Sequence, residues 1–170
     1  MSQRTTRMRE ASITTSQQRP SFEDLYRSHV QDARKVAYLS IGDAAQAEDI
    51  VQEAFIRVLG RYGELRKPSS FRSYLLRTVL SLCKNHFRRA ALERDRQPLP
   101  QPSVAVGIER DDDLIDALRR LPHRQRDAVV LRYCEDLTEN DTAEILQTST
   151  KAVQSLVARG LTTLRKEVER

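Results

Sequence analysis

Between Ala47 and Leu59 the chain reads AEDIVQEAFIRVL, and its apolar residues, Ala47, Ile50, Val51, Ala54, Phe55, Val58 and Leu59, recur at steps of three and four. That period gathers them on one side of an α-helix and does not suit a strand, whose faces alternate residue by residue. The same period returns along most of the chain. Ser21, with Asp24 three residues on, forms a capping box that opens a first helix whose inward stripe is Phe22, Leu25, Tyr26, His29, Ala33, Val36 and Ala37. Gly42-Asp43 ends it, and Asp43 with Gln46 caps the second helix, which fades at Gly60 and Gly63. Pro68-Ser69-Ser70 starts a third, from about Phe71 to Arg94, with Phe71, Tyr74, Leu75, Thr78, Val79 and Leu82 inward. No stretch reads as strand, so the expected fold class is all-α.

The period breaks between Gln97 and Gly107, where QPLPQPSVAVG carries three prolines and no charge. Such a stretch is a semi-extended linker rather than a helix. Beyond it an acidic run, Glu109 to Asp113, leads into a helix with Leu114, Ile115, Leu118 and Leu121 inward. Pro122 stops that helix and seeds the next, through Val129, Val130 and Tyr133. Thr138 with Asp141 caps a short helix carrying Ala143, Ile145 and Leu146, and the final helix buries Val153, Val157, Leu161, Leu164 and Val168. The expected organisation is a flexible basic tail (1–20), a helical domain (21–96), a linker (97–110) and a second helical domain (111–170).

Charge is distributed in blocks. Residues 1–20 carry +3, 21–60 carry −3, 61–96 carry +7, 104–148 carry −5 and 149–170 carry +3. Two basic blocks suit two polyanion contacts, and the acidic blocks suit surfaces that face something else. Several classes drop out. No apolar run reaches the ~20 residues of a spanning helix, so no membrane is expected. The N-terminus lacks the apolar core of a secretory signal, and a cytoplasmic chain is the expectation. The two cysteines, Cys83 and Cys134, and three scattered histidines have no metal-ligand spacing, so neither metal nor cofactor is expected. There is no Gly-rich phosphate loop and no supported nucleophile, so the chain does not read as an enzyme.

Two stretches carry chemistry. The short helix, a tight turn at Gln147-Thr148-Ser149 and the longer last helix fit a helix-turn-helix, whose second helix enters the major groove. Its outward residues, Ser149, Thr150, Lys151, Gln154, Ser155, Ala158 and Arg159, offer hydroxyls, an amide and cations to base edges and phosphates. The third helix joins Arg72, Arg77, Lys84, Arg88 and Arg89 with Tyr74, His86 and Phe87, a combination suited to unstacked bases on a charged strand. The same cations could equally be a solvated helix face.

This order of parts resembles the extracytoplasmic-function sigma factors, group IV of the sigma-70 family, over residues 21 to 168. GDAAQAEDIVQEAFIRVL is similar to the family's region 2.2, FRSYLLRTVLSLCKNHFRR to regions 2.3 and 2.4, and STKAVQSLVARGLTTLRK to its −35 reading helix. LIDALRRLPHRQRDAVVLRYCEDLTENDTAEIL is similar to region 4.1 and the start of 4.2. Tyr74 stands where the family usually has Trp, and Gln147 where it usually has Gly.

The resemblance implies a non-enzymatic subunit that directs RNA polymerase to promoters. It implies that Asp49, Gln52, Glu53 and Arg57 bind core polymerase at the clamp helices of the largest subunit, and that the acidic second domain meets the flap of the second largest. It assigns −10 DNA to Arg66, Lys67, Ser69, Arg72, Tyr74, Arg77, Lys84, Asn85, Arg88 and Arg89, and −35 DNA to Ser149, Thr150, Lys151, Gln154, Ser155 and Arg159. An anti-sigma factor is a possible further partner, and no C-terminal sensing domain is expected. Two rivals stand beside it, a helix-turn-helix regulator that dimerises through its first domain and a helical adaptor that never touches DNA.

Overall fold

The computed structural model describes residues 20–64, 70–94 and 112–168. Over these the chain forms seven α-helices and no strand: α1 (Phe22–Ile41), α2 (Ala44–Leu59), α3 (Ser70–Arg94), α4 (Asp112–Arg120), α5 (His123–Val129), α6 (Glu139–Leu146) and α7 (Thr150–Val168). A 3-10 turn, Tyr62–Glu64, follows α2, and α5 runs on into a π-helical turn, Val130–Cys134. The tail up to residue 19, the 97–110 linker and the loop holding Arg66, Lys67 and Ser69 lie outside the described residues.

Side-chain caps set the helix starts. Ser21 Oγ accepts the Asp24 N–H at 3.2 Å and Asp24 accepts the Ser21 N–H at 3.2 Å, closing the capping box. The Ser21 hydroxyl, donating to the same carboxylate, holds Asp24 below the usual carboxylate range. Asp43 accepts from Gln46 N–H at 2.9 Å, Thr138 from Asp141 N–H at 3.1 Å and Ser149 from Ala152 N–H at 3.1 Å. Each cap satisfies a donor the first turn leaves open, worth about 1 kcal/mol. At the other end of α1, Gly42 adopts φ 78° and its N–H returns to Tyr38 O at 2.7 Å. A Cβ there would meet Arg119 Cδ at 2.7 Å, so this glycine serves both the left-handed turn and the approach of α4.

Helices α1, α2 and α3 pack pairwise around Val36, Val51, Val58, Phe71, Leu75 and Val79, all wholly buried. In the second domain α7 lies along α5, close enough at Gly160 that a Cβ would meet Val129 Cγ2 at 2.7 Å. The two domains share one core. The helices α4 and α5 and the π turn rest on α1, and α6 rests on α3. Helix α3 makes this possible by carrying a second apolar stripe, Leu76, Leu80 and Cys83, buried as fully as the first, with Phe87 partly buried beyond it.

Three expected core residues lie outside it: Phe22, Leu114 and Tyr133 are 48%, 40% and 62% exposed. Phe22 is the first residue of its helix and overhangs the bundle. Tyr133 turns out because the π turn, closed by Glu135 N–H to Val130 O at 3.1 Å, rotates the chain out of the α register that places Val129 and Val130 inward.

The seam between the domains is charged as well as apolar. The Glu135 side chain is 3% exposed and meets Arg72 Nη2 at 2.9 Å and Lys35 Nζ at 3.6 Å, both from the first domain. Arg72 also holds Asp32 at 2.7 Å, and Lys35 donates to the Cys134 carbonyl. Burial pushes the Glu135 carboxyl up, Asp32 adds to this, and Lys35 and Arg72 oppose it. Nearby, buried Arg126 of α5 donates to the Ser40 carbonyl at 2.9 Å and sits 4.7 Å over the Phe87 ring. A desolvated cation–π contact of this kind contributes roughly 2 kcal/mol. Burial also drives the Cys83 thiol up to about 12, so it stays a protonated, packed thiol.

Gln147 ends α6 at φ 50° and ψ 52°, a left-handed conformation without the glycine that relieves it. Gln147→Gly is expected to raise stability by about 1 kcal/mol, seen as a rise of about 2–4 °C in Tm. A midpoint that stays put or falls would mean the turn carries no strain.

Asp127 gives a pH signature. Burial pushes its carboxyl up to about 7, against the pull of Arg126, Arg124 and Lys84. Because the folded value lies above the ordinary one, the cost of ionising it is still small near pH 4, grows towards pH 7 and is constant above. Asp127→Asn should therefore stabilise the fold by roughly 2–4 kcal/mol at pH 8 and by almost nothing at pH 4, compared through denaturant midpoints. Equal gains at both pH values would contradict this.

Candidate functional site

Three surfaces hold the residues singled out by sequence. On α2 the outward face is Asp49, Gln52, Glu53, Ile56 and Arg57, all exposed. The adjacent Glu48 is spoken for: Arg34 of α1 reaches it with Nε at 2.7 Å and Nη2 at 2.9 Å. That bidentate pair holds the Glu48 carboxyl below its usual range and raises Arg34. It joins α1 to α2, so Glu48 belongs to the fold. Glu53 and Arg57 pair one turn apart on the surface. Sequence reasoning passed over Ile56, which is 71% exposed in the middle of this polar face. The signal was there: it sits four residues beyond Gln52 and off the apolar stripe.

Helix α3 divides its cations. Lys84 and Arg88 are exposed along the side that also carries Tyr74. The Tyr74 ring is half-buried, with its hydroxyl accepting from Arg61 Nη1 at 3.3 Å. Arg89 lies apart from them, lining a cleft of about 180 Å³ between α2 and α3 together with Asp49, Glu53 and Asn85. The expected polymerase face and part of the expected −10 face thus adjoin. Two other residues of the −10 set face the second domain. Arg72 bridges Asp32 and Glu135, and Arg77 donates to Glu144 O at 2.8 Å and Ile145 O at 3.3 Å on the last turn of α6. Carbonyls at a helix C-terminus attract a cation, so Arg77 is well held there. Arg66, Lys67 and Ser69 fall outside the described residues.

On α7, Lys151, Gln154, Ser155, Ala158 and Arg159 are exposed and Thr150 is half-buried, as the period requires. Ser149 is spent on the cap. Ser155 Oγ donates to Lys151 O at 3.1 Å, and Arg159 Nε donates to Ser155 O at 3.1 Å, which draws that guanidinium back along the helix. Gln154 Nε2 donates to Glu139 Oε2, 2.7 Å away on the first turn of α6. Glu139 was missed because only the helix-turn-helix geometry brings positions 15 apart into contact. Among the described residues no cluster of His, Cys, Asp and Glu is built to hold a metal, and no helix is long and apolar enough to cross a membrane.

Comparison with known proteins covers both domains. The family described as Sigma-70 region 2 matches residues 25–93, and Sigma-70, region 4 matches residues 111–164. The chain is 31% identical over 152 residues to an RNA polymerase sigma-E factor of Streptomyces avermitilis, covering 87% of this chain and 85% of that one. It is 29% identical over 164 residues to the ECF RNA polymerase sigma factor SigX of Bacillus subtilis, covering 88% and 84%. In fold it is similar to the sigma factor RpoE of Bartonella quintana, solved in complex with the anti-sigma factor NepR, with a TM-score of 0.75 at 21% identity over 87% of this chain and 96% of that one.

Proposed function

The chain belongs to the sigma-70 family, in its extracytoplasmic-function group, and directs core RNA polymerase to promoters without catalysing a reaction; from that premise we propose how its surfaces divide the work. The first domain (21–96) binds core polymerase through α2 and −10 DNA through α3 and the loop of Arg66, Lys67 and Ser69. The 97–110 linker joins it to the second domain (111–170), which reads −35 DNA through α7. A stand-alone regulator and a structural adaptor are set aside by the family.

The observation that carries the division is the split on α2. The fold consumes Glu48 internally and leaves Asp49, Gln52, Glu53 and Ile56 in water, an acidic rim around an apolar knob on a chain of net charge +5. Such a face repels DNA and suits a basic helical partner with an apolar pocket, here the clamp helices of the largest polymerase subunit. The acidic block of the second domain meets the flap of the second largest. An anti-sigma factor is a further proposed partner, by analogy with the Bartonella complex. These partners imply action in the cytoplasm.

On α3, Lys84 and Arg88 contact phosphates, with Tyr74 beside them for an unstacked base. Unstacking costs a few kcal/mol per step, which polymerase binding and phosphate contacts offset. On α7, Glu139 decides what Gln154 presents. An ionised carboxylate only accepts, so it takes one amide N–H and leaves the carbonyl and the second N–H for a base edge. That remainder matches the N6 and N7 edge of adenine.

Two outcomes are expected. Asp49→Lys should weaken binding to core polymerase about tenfold, while Glu48→Gln lowers thermal stability and leaves core affinity unchanged; co-elution of Asp49→Lys with core at the normal level would sink the α2 assignment. In run-off transcription from a −35 library, Gln154→Ala should erase an adenine preference at one position, a discrimination of about 1–3 kcal/mol, and Glu139→Ala should blur it. Uniform loss across all −35 variants would rule out direct readout by Gln154.

A further inference from the structure

An arginine outside the expected −10 set stands against the aromatic at its centre. Arg61, just before the 3-10 turn, donates from Nη1 to the Tyr74 hydroxyl at 3.3 Å. Its backbone is held on both sides: the Arg61 N–H bonds Val58 O at 3.1 Å, and its carbonyl accepts from Glu64 N–H at 2.9 Å. The turn beyond is fixed as well, with the Tyr62 ring edge-on to buried Phe71 at 5.7 Å. Arg61 is thus presented from a fixed point while remaining exposed. Tyr74 is anchored separately, half-buried against the core. As a fold contact the bond adds little, because it lies at the surface between two groups that are already placed.

The chemistry of the pair follows from its donors. A phenolic hydroxyl carries one proton and accepts through its oxygen, and a guanidinium carries only donors. With Arg61 donating to the oxygen, the hydroxyl proton is turned away from Arg61 and outward. The pair is therefore rich in donors, and it favours an acceptor oxygen, keto on a base or on a phosphate, over an amino group. Tryptophan, which the family usually has here, could not form this pair, since its indole N–H only donates. Ser81 and Arg88 follow Tyr74 along α3 at intervals of about two turns, both exposed, so the hydroxyl stands at the head of a polar track.

We propose that Arg61 is a positioning residue for the −10 strand: it holds the Tyr74 hydroxyl with its proton directed at an acceptor oxygen of the unstacked nucleotide. This rests on the reading of Tyr74 as the platform for that nucleotide.

The test uses holoenzyme reconstituted from the full chain and core polymerase, with run-off transcription from a −10 library and permanganate footprints of unpaired thymines on the best template. Tyr74→Phe keeps the ring and removes the hydroxyl, whereas Arg61→Ala keeps the hydroxyl and lets it turn. Each should lower promoter opening about five- to tenfold, and the double variant should be no worse than the worse single one. Arg27→Ala removes the same charge from an exposed site on α1 and should change opening less than about twofold. A keto partner shows as a preference for thymine or guanine at one −10 position, lost in both single variants. A phosphate partner shows as an equal loss on every template.

Co-elution with core polymerase should stay at the parental level in both single variants, and their melting temperatures should move by less than about 2 °C. Losses that simply add in the double variant overturn the proposal. So does weaker co-elution of Arg61→Ala, which would place this arginine in the polymerase contact, or a larger fall in melting temperature, which would make the pair structural. Tyr74→Ala separates the proposal from the reading beneath it. If opening survives that change, Tyr74 meets no nucleotide and both fall. If opening is lost there while Arg61→Ala and Tyr74→Phe open normally, the pair alone is wrong.

Discussion

Glu135 keeps 3% of its side chain in water, and it does so because Arg72 and Lys35 approach it from the other domain. A carboxylate taken out of solvent costs several kcal/mol unless partners replace the water, so the position of the second domain follows from where those two cations stand. The π turn delivers Glu135 to that point, and Arg126 from α5 fixes the far end of the seam on the Ser40 carbonyl and the Phe87 ring. A carboxylate of the acidic second domain and cations of the first therefore answer each other inside the molecule.

Much of the fold is legible in the chain because it rests on local chemistry. Ser21, Asp43, Thr138 and Ser149 cap helices through bonds that span three residues, and such bonds need no tertiary context. Gly42 ends α1 for an equally local reason. Longer-range packing is harder to read. The second stripe on α3 is invisible as periodicity, because apolar residues on two sides of a helix cancel the pattern that one side would make. Tyr133 sits at a helical spacing from Val129 and Val130, yet the π turn carries it into water.

The site divides in the same way. The α2 face and the outer side of α7 follow from the period alone, and each expected residue on them is exposed or half-buried as a surface group should be. Pairing does not follow from it. Nothing in the order of residues tells that Arg34 claims Glu48, that Glu139 claims one N–H of Gln154, or that Arg72 meets Glu135 of the second domain. These pairs span 14, 15 and 63 positions, and only the packed helices bring them together.

The second stripe of α3 has a consequence for how such a chain survives on its own. Leu76, Leu80, Cys83 and Phe87 form a row of apolar groups on a helix that is otherwise rich in arginine. Turned out into water, that row would be a sticky surface of the kind that draws chains into aggregates. Closure covers it without help from any other molecule. The contact that sets the shape of the chain is thus also the one that keeps this strip out of water.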